Sequence, residues 1–475
     1  MNTQCIQNAF AFHPLGRRQV SGAFDGGHIT SDAGGLLLRE TERVARVIEQ
    51  FARCFTDFRD PERIEHTVQE LVGQRIYGLA HGYEDLNDHD ELRHDPLMAL
   101  LVGKQDPTGH DRQTQRDRGK ALAGKSTLNR LELTPANAGT DDRYKKIVIH
   151  ERAVERLFVE LFRQAHRRTP QRIVLDLDAT DDPLHGNQEG RFFHGYYRNY
   201  CYLPLYIFCG EFLLCAKLRP ANIDAADGAL DEVARIVEQI RQAWPQTKIV
   251  IRGDSGFCRE PLMRWCEAQE NVDFVLGLAK NARLTRRISK PLRKARRLCR
   301  ETGQAARRYK DFSYRTRKSW SRPRRVVGKA EHLPQGSNPR FVVTSIPARE
   351  IDAKTLYEVE YCGRGDMENR IKEQQLYLFA DRTSTSQMRS NQIRLWFSSM
   401  AYVLVQALRR LGLVGTPMAK AQCHTIRLQL FKIGALVRVT VRRVWVSWSQ
   451  SYPYKHLFAR VYAQLRRLRP VRLRI

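Results

Sequence analysis

The sequence predicts an α/β fold in which a mixed sheet carries helices on its faces. Two β-branched runs, IVLDLDAT from Ile173 and KIVIRGD from Lys248, read as buried strands that lead into acids. From about residue 170, such runs alternate with segments at helical spacing, the order of an α/β core. The hydrophobic share of 42% is that of a globular chain, and 475 residues can hold one large domain or two to three ordinary ones.

Residues 1–150 are predicted to be mainly helical, because ETERVARVIEQFARCF and RIEHTVQELVGQRIYGLAHGY repeat apolar residues at helical spacing. VSGAFDGGHITSDAGG precedes them as a strand, a turn and a helix cap, and residues 103–120 are polar enough for an exposed loop. Next come four consecutive sheet segments: IVLDLDAT, RFFHGYY, CYLPLYIFCG and EFLLCAKLRP. A helix follows (DAADGALDEVARIVEQIRQAW), then the strand KIVIRGD, the helix EPLMRWCEAQE and the strand VDFVLGLA. A basic run from Arg283 to Arg325 interrupts this order with weak periodicity, before RRVVGKAEHL and PRFVVTSI alternate like strands. The chain then returns to helix, in the Glu368 segment and in QIRLWFSSMAYVLVQALRRLGL. Five regions result: 1–150, 170–280, a basic β-rich insertion 281–350, 351–415 and a basic tail 416–475.

Charge narrows the function classes. Eighty Lys and Arg against 52 Asp and Glu give +28, which points to a polyanion, with nucleic acid the leading partner. No acid occurs after Asp381, so the excess is concentrated. Ten cysteines without a CxxC pair or zinc-like spacing fit a reduced, cytoplasmic setting. MNTQCIQNAFAF does not read as a signal peptide, and CYLPLYIFCGEFLLCAKL, broken by Pro204, Glu211 and Lys217, reads as two strands joined at Gly210-Glu211 rather than a membrane span. Gly119 to Ser126 matches a phosphate-loop pattern, but HDRQTQRDR before it cannot be the buried strand that motif needs, so no ATP site is expected. Ser126 or Thr127 is the expected cap of the helix that follows.

The chemistry concentrates in three acids. Read as a helix, YCGRGDMENRIKEQQ puts Arg364, Glu368, Lys372 and Gln375 on one face, with Tyr361 a turn earlier. A carboxylate between basic groups suits a phosphodiester and a metal ion, although an i,i+4 salt bridge to Arg364 or Lys372 would also explain Glu368. Glu360 and Glu373 lie off that face. Asp178 leads Asp176 as the first strand acid, because the apolar run leads into it; a turn cap is the bland alternative for either. Asp254 could equally cap the following helix. Two strand-borne aspartates and a helix-borne glutamate are what a two-metal phosphoryl-transfer site needs, and Mg²⁺, with Mn²⁺ as a substitute, prefers such hard oxygens. Trp320, in KSWSRPRR, is the best candidate to stack on a base, while Trp396 reads as core.

LDLDATDDPLHGNQEGRFFHGYY, RGDSGF and YCGRGDMENRIKE together resemble the bacterial insertion-sequence DDE transposases, closest to the thirteen-eighty family within the Tyr-Arg-Glu-Lys signature class. The resemblance implies an RNase H-like catalytic core with a β-rich insertion, preceded by helices that bind the element's terminal inverted repeats. It implies the triad Asp178, Asp254 and Glu368 as metal ligands, with Tyr361 and Arg364 holding transposon-end phosphates. The signature lysine falls at Gln375, and Lys372, a turn nearer Glu368, is placed to substitute. The expected activity is metal-dependent strand cleavage and strand transfer on double-stranded DNA, element end and target alike. A homodimer is expected in the DNA complex, associated with the nucleoid. The rivals are a nuclease or resolvase without strand transfer, and a non-catalytic DNA-binding descendant.

Overall fold

A computed structural model describes residues 9–471 and Leu473, and divides the chain into two units. One unites the two ends of the sequence, Met1–Ile149 with Met400–Ile475; the other is His150–Ser399.

In the first unit, Thr67 opens the helix Val68–His81 with a reciprocal capping box, in which its hydroxyl accepts from the Glu70 amide and the Glu70 carboxylate accepts from its own. Gly82, at φ +98°, ends that helix. The preceding periodic stretch is broken at Arg46, whose φ of +52° separates the helices Leu36–Ala45 and Val47–Ala52. Strand content exceeds the expectation: Phe10–Leu15 and Arg18–Gly22 form a hairpin, and His28–Thr30 is a further strand. That strand pairs with Ala435–Val439, which pairs with Val444–Trp448, so the start and the tail share one sheet. Ala33, Leu97, Ala435 and Val437 form the core beneath it. At the phosphate-loop pattern no strand leads in, and the helix is Lys125–Leu133 with Gly124 at its cap position, which puts Ser126 and Thr127 inside the first turn rather than at the cap.

The second unit is built on a large mixed sheet. Its strands are β1 (Arg172–Ala179), β2 (Leu205–Cys209), β3 (Phe212–Lys217), β4 (Lys248–Gly253), β5 (Val272–Leu278), β6 (Ala306–Tyr314), β7 (Arg324–Leu333) and β8 (Arg340–Thr344). Their order is β3-β2-β1-β4-β5-β8-β7-β6, with β1, β4 and β5 parallel and the other neighbours antiparallel. The parallel strands β1 and β4 need a crossover, which Ala229–Arg241 supplies with Val233, Ile236 and Ile240 fully buried. As expected, the apolar stretch splits into two strands at Gly210-Glu211, with Cys209 opposite Phe212. RFFHGYY does not join the main sheet: Phe192–His194 lies in a small sheet with Asn199–Tyr202 and Asp182–Pro183. Phe193 and Tyr196 stay 56% and 83% exposed there, which a central strand would not allow.

The basic insertion is only partly β. Arg283 onward folds as two helices, α1 (Ala282–Arg287) and α2 (Ser289–Thr302), before β6 and β7 extend the main sheet. Strand alternation sorts the sheet into two faces. Ile173, Leu175 and Leu177 of β1 share a core with Leu284 of α1 and Ile288, whereas Val174 packs with Val250, Val275, Leu356 and Tyr357 on the other face. Asp176 and Asp178 share the parity of Val174.

Candidate catalytic site

Two adjacent strand ends and one irregular helix build the site, all within the second unit. Gly253 of β4 stands in register with Leu177 of β1, so the next residue on each strand is an aspartate: Asp254 beside Asp178. Asp254 does cap the turn Ser255–Phe257, with Oδ1 accepting from the Gly256 amide at 2.8 Å. The cap role expected of this residue is therefore present, and it occupies Oδ1.

The Glu368 segment is not one regular helix. Leu356–Tyr361 is a π-turn and Cys362–Arg364 a 3₁₀ turn, after which α3 (Gly365–Leu378) runs as an α-helix. Such irregular turns re-aim side chains and cluster at functional sites. Here the turn brings Tyr361 down onto β5, where a Cβ on Gly277 would lie 2.7 Å from the Tyr361 hydroxyl and 2.8 Å from the Ser255 amide. The same turn brings Arg364 between two acids. Its Nη2 donates to Glu368 Oε1 at 2.7 Å and its Nη1 lies 3.5 Å from Asp178 Oδ1. The expected Arg364–Glu368 pair is therefore present, but the guanidinium also links the helix acid to the strand acid.

Asp176 is committed elsewhere. It is buried and takes a two-point ion pair from Arg252, whose remaining nitrogen donates to the Glu360 carbonyl. Glu360 pairs with Arg172 and Glu373 is buried near Arg370, which leaves Glu368 as the exposed acid on this face. Burial pushes the Asp178 carboxyl up to about 7, with Arg364 opposing the rise and Asp254 and Glu368 adding to it. Asp178 thus feels the charges of Asp254 and Glu368, and a single guanidinium, that of Arg364, opposes them.

Of the other expected site residues, Lys372 is exposed on the following turn of α3. Gln375 spends its amide on the Asp181 carbonyl at 3.0 Å. Trp320, expected to stack on a base, is instead buried at 5% exposure, edge-on to Tyr314 with ring centroids 5.8 Å apart, and beneath the Arg324 guanidinium. Glu260 and Glu267 pin Arg324, so the basic run folds inward at this point and the indole has no face free for a base. Trp396 is core, as expected, and donates to the Ala216 carbonyl. Sequence reasoning missed Arg252, which fixes Asp176, and Tyr197, whose hydroxyl donates to the Ala179 carbonyl beside Asp178. For Arg252 a signal existed: a cation inside an otherwise apolar strand needs a buried partner.

The model of the family described as transposase DDE domain group 1 matches residues 12–470. The chain belongs to this family. It is a DNA transposase, an enzyme that cuts and joins DNA strands. No curated protein matches it in sequence. Among solved structures, the chain is similar to a piggyBac transposase in a synaptic complex with hairpin DNA, at 12% identity and a TM-score of 0.40, covering 85% of this chain and 80% of that one.

DDE transposases use divalent metal ions. Among the described residues no three acid, His or Cys side chains already converge as a metal shell. The donor chemistry nevertheless fits. Asp178, Asp254 and Glu368 supply hard oxygens, and the raised Asp178 carboxyl marks a place short of positive charge. Among the described residues, no helix is long and apolar enough to cross a membrane.

Proposed function

We propose that this transposase cleaves the terminal inverted repeats of an insertion sequence and joins the freed ends to target DNA. In this reading it is of the thirteen-eighty type, with an RNase H-like core holding Asp178, Asp254 and Glu368 as ligands for two Mg²⁺ ions. The observation that carries it is the register of β1 and β4, which sets Asp178 and Asp254 side by side, together with Arg364 linking Asp178 to Glu368. Bound there, the ions would activate the attacking oxygen and stabilise the leaving one in an in-line displacement.

The chain's own residues do the rest. Arg252 neutralises Asp176 and so keeps a second strand acid out of the ligand set. Arg364 leaves its carboxylates for a transposon-end phosphate, which its planar fork suits. Tyr361, seated over Gly277, sets the approach of that phosphate to Asp254. Lys372 adds charge one turn beyond Glu368. The mainly helical amino-terminal region 1–150 and the basic tail 416–475 grip flanking duplex, and two copies act together on paired ends.

The test is a joining assay with labelled element ends and a supercoiled target plasmid. Joined products support the proposal. Cleavage without joining would indicate a nuclease or resolvase, and binding with neither would indicate a non-catalytic descendant.

A further inference from the structure

The helices α1 and α2 cover the sheet face opposite Asp178. Leu284, Ile288, Ala295 and Cys299 bury the inner side of this layer. Its outer side exposes nine Arg and Lys side chains between Arg283 and Arg300, with no acid among them in the sequence. Among the described residues, the one ion pair this surface makes is Arg297 with Glu301, at 3.5 Å. Within α2, Lys290–Lys294, Arg293–Arg297 and Arg296–Arg300 are like-charge pairs at i,i+4, each of which destabilises a helix. A fold gains nothing from that repulsion unless an anion relieves it.

The surface is also shaped. A hollow of about 640 Å³ is lined by Arg283, Arg286, Arg287 and Arg315, with Tyr314 and Ser313. A second, of about 490 Å³, takes Arg286 again with Arg293, Arg296 and Ser289. The two share a wall, and so form a groove whose guanidiniums line successive turns.

We propose that this groove is a second duplex-DNA site, binding phosphate backbone without base readout. It rests on the DNA-processing reading only for its partner's chemistry. Helix layers on opposite faces of a sheet lie on the order of 20 Å apart. A straight duplex at Asp178 therefore cannot also lie along α2, and the groove holds a different segment from the one being cut.

The test uses the full chain and a labelled 30-base-pair duplex of arbitrary sequence, titrated over a range of salt. The triple variant Arg286→Ala/Arg293→Ala/Arg296→Ala should bind at least tenfold more weakly and lower the log–log salt slope by about 3, at about 0.9 per lost phosphate contact. The same three positions as Lys should keep the slope, because the charge is kept. Neither variant should melt below the parent, since the Ala set removes repulsion, so weaker binding will not reflect unfolding. An unchanged slope in the Ala variant overturns the proposal. Asp254→Asn, run in parallel, should lose cleavage and keep the slope. If instead it cleaves normally while the Ala variant loses slope, the catalytic reading fails and this site stands.

Discussion

Asp178 is where the chemistry meets the stability of the fold. Its carboxyl titrates near 3.8 when unfolded and near 7 when folded, chiefly through burial. Between those values the folded chain holds a proton that the unfolded chain has released. Its stability therefore falls as pH rises through that window and is lowest above about 7. Asp178→Asn removes the charge, so it should melt higher than the parent at pH 8, by on the order of 2–4 kcal/mol. The gap should close toward pH 4. Added Mg²⁺ should raise the melting point of the parent and leave that of the variant nearly unchanged, because only the parent keeps the full ligand set. A variant that melts with the parent at pH 8 would remove the strain from the account. Lys372 offers a second prediction. Its ammonium is exposed while the Gln375 amide is occupied by a backbone carbonyl. Lys372→Ala should slow single-turnover cleavage by roughly 10- to 100-fold at matched DNA occupancy, the worth of a charge-assisted bond. A greater loss in Gln375→Ala would assign the phosphate contact to the glutamine.

At the scale of elements, the π and 3₁₀ turns before α3 place Tyr361 and Arg364, and Gly277 makes the space beneath them. Gly277→Ala should therefore slow cleavage by at least tenfold, since both the Tyr361 hydroxyl and the rigid Ser255 backbone lie within 2.8 Å of the new Cβ. Near-parent cleavage would show that the turn tolerates a shift. This geometry was invisible in the sequence, where Tyr361 to Gln375 scans as one helix because periodicity cannot report a one-residue bulge. The strands were legible: β1, β4 and β5 are short, mainly apolar runs bounded by turns, the pattern of strands buried on both faces. The sequence also favoured Asp178 over Asp176, and the ion pair that occupies Asp176 comes from Arg252, one strand away. RFFHGYY and Trp320 misled because ring-rich and basic segments carry no marker for which side faces the core.

At the scale of the molecule, the acid-free tail is structural as well as basic. Deleting it would strip Ala435–Val439 from His28–Thr30, so truncation would confound folding with binding. Point variants avoid this. The outer face of that sheet presents Arg438 opposite Trp445, which is 50% exposed, with the Arg443 guanidinium 5.5 Å from the indole centre. Replacing all three with Ala should lower the salt slope of duplex binding by about 2, one step for each arginine. An unchanged slope would give this face to protein contacts instead. The central claim, that Asp178, Asp254 and Glu368 are one metal-dependent centre, is tested most directly by single-turnover cleavage of a labelled element end with and without Mg²⁺. Asp178→Asn, Asp254→Asn and Glu368→Gln should each abolish cleavage while binding the end as the parent does, and Asp176→Asn should retain activity wherever it folds. Cleavage that survives any one of the first three substitutions at undiminished rate would contradict the account.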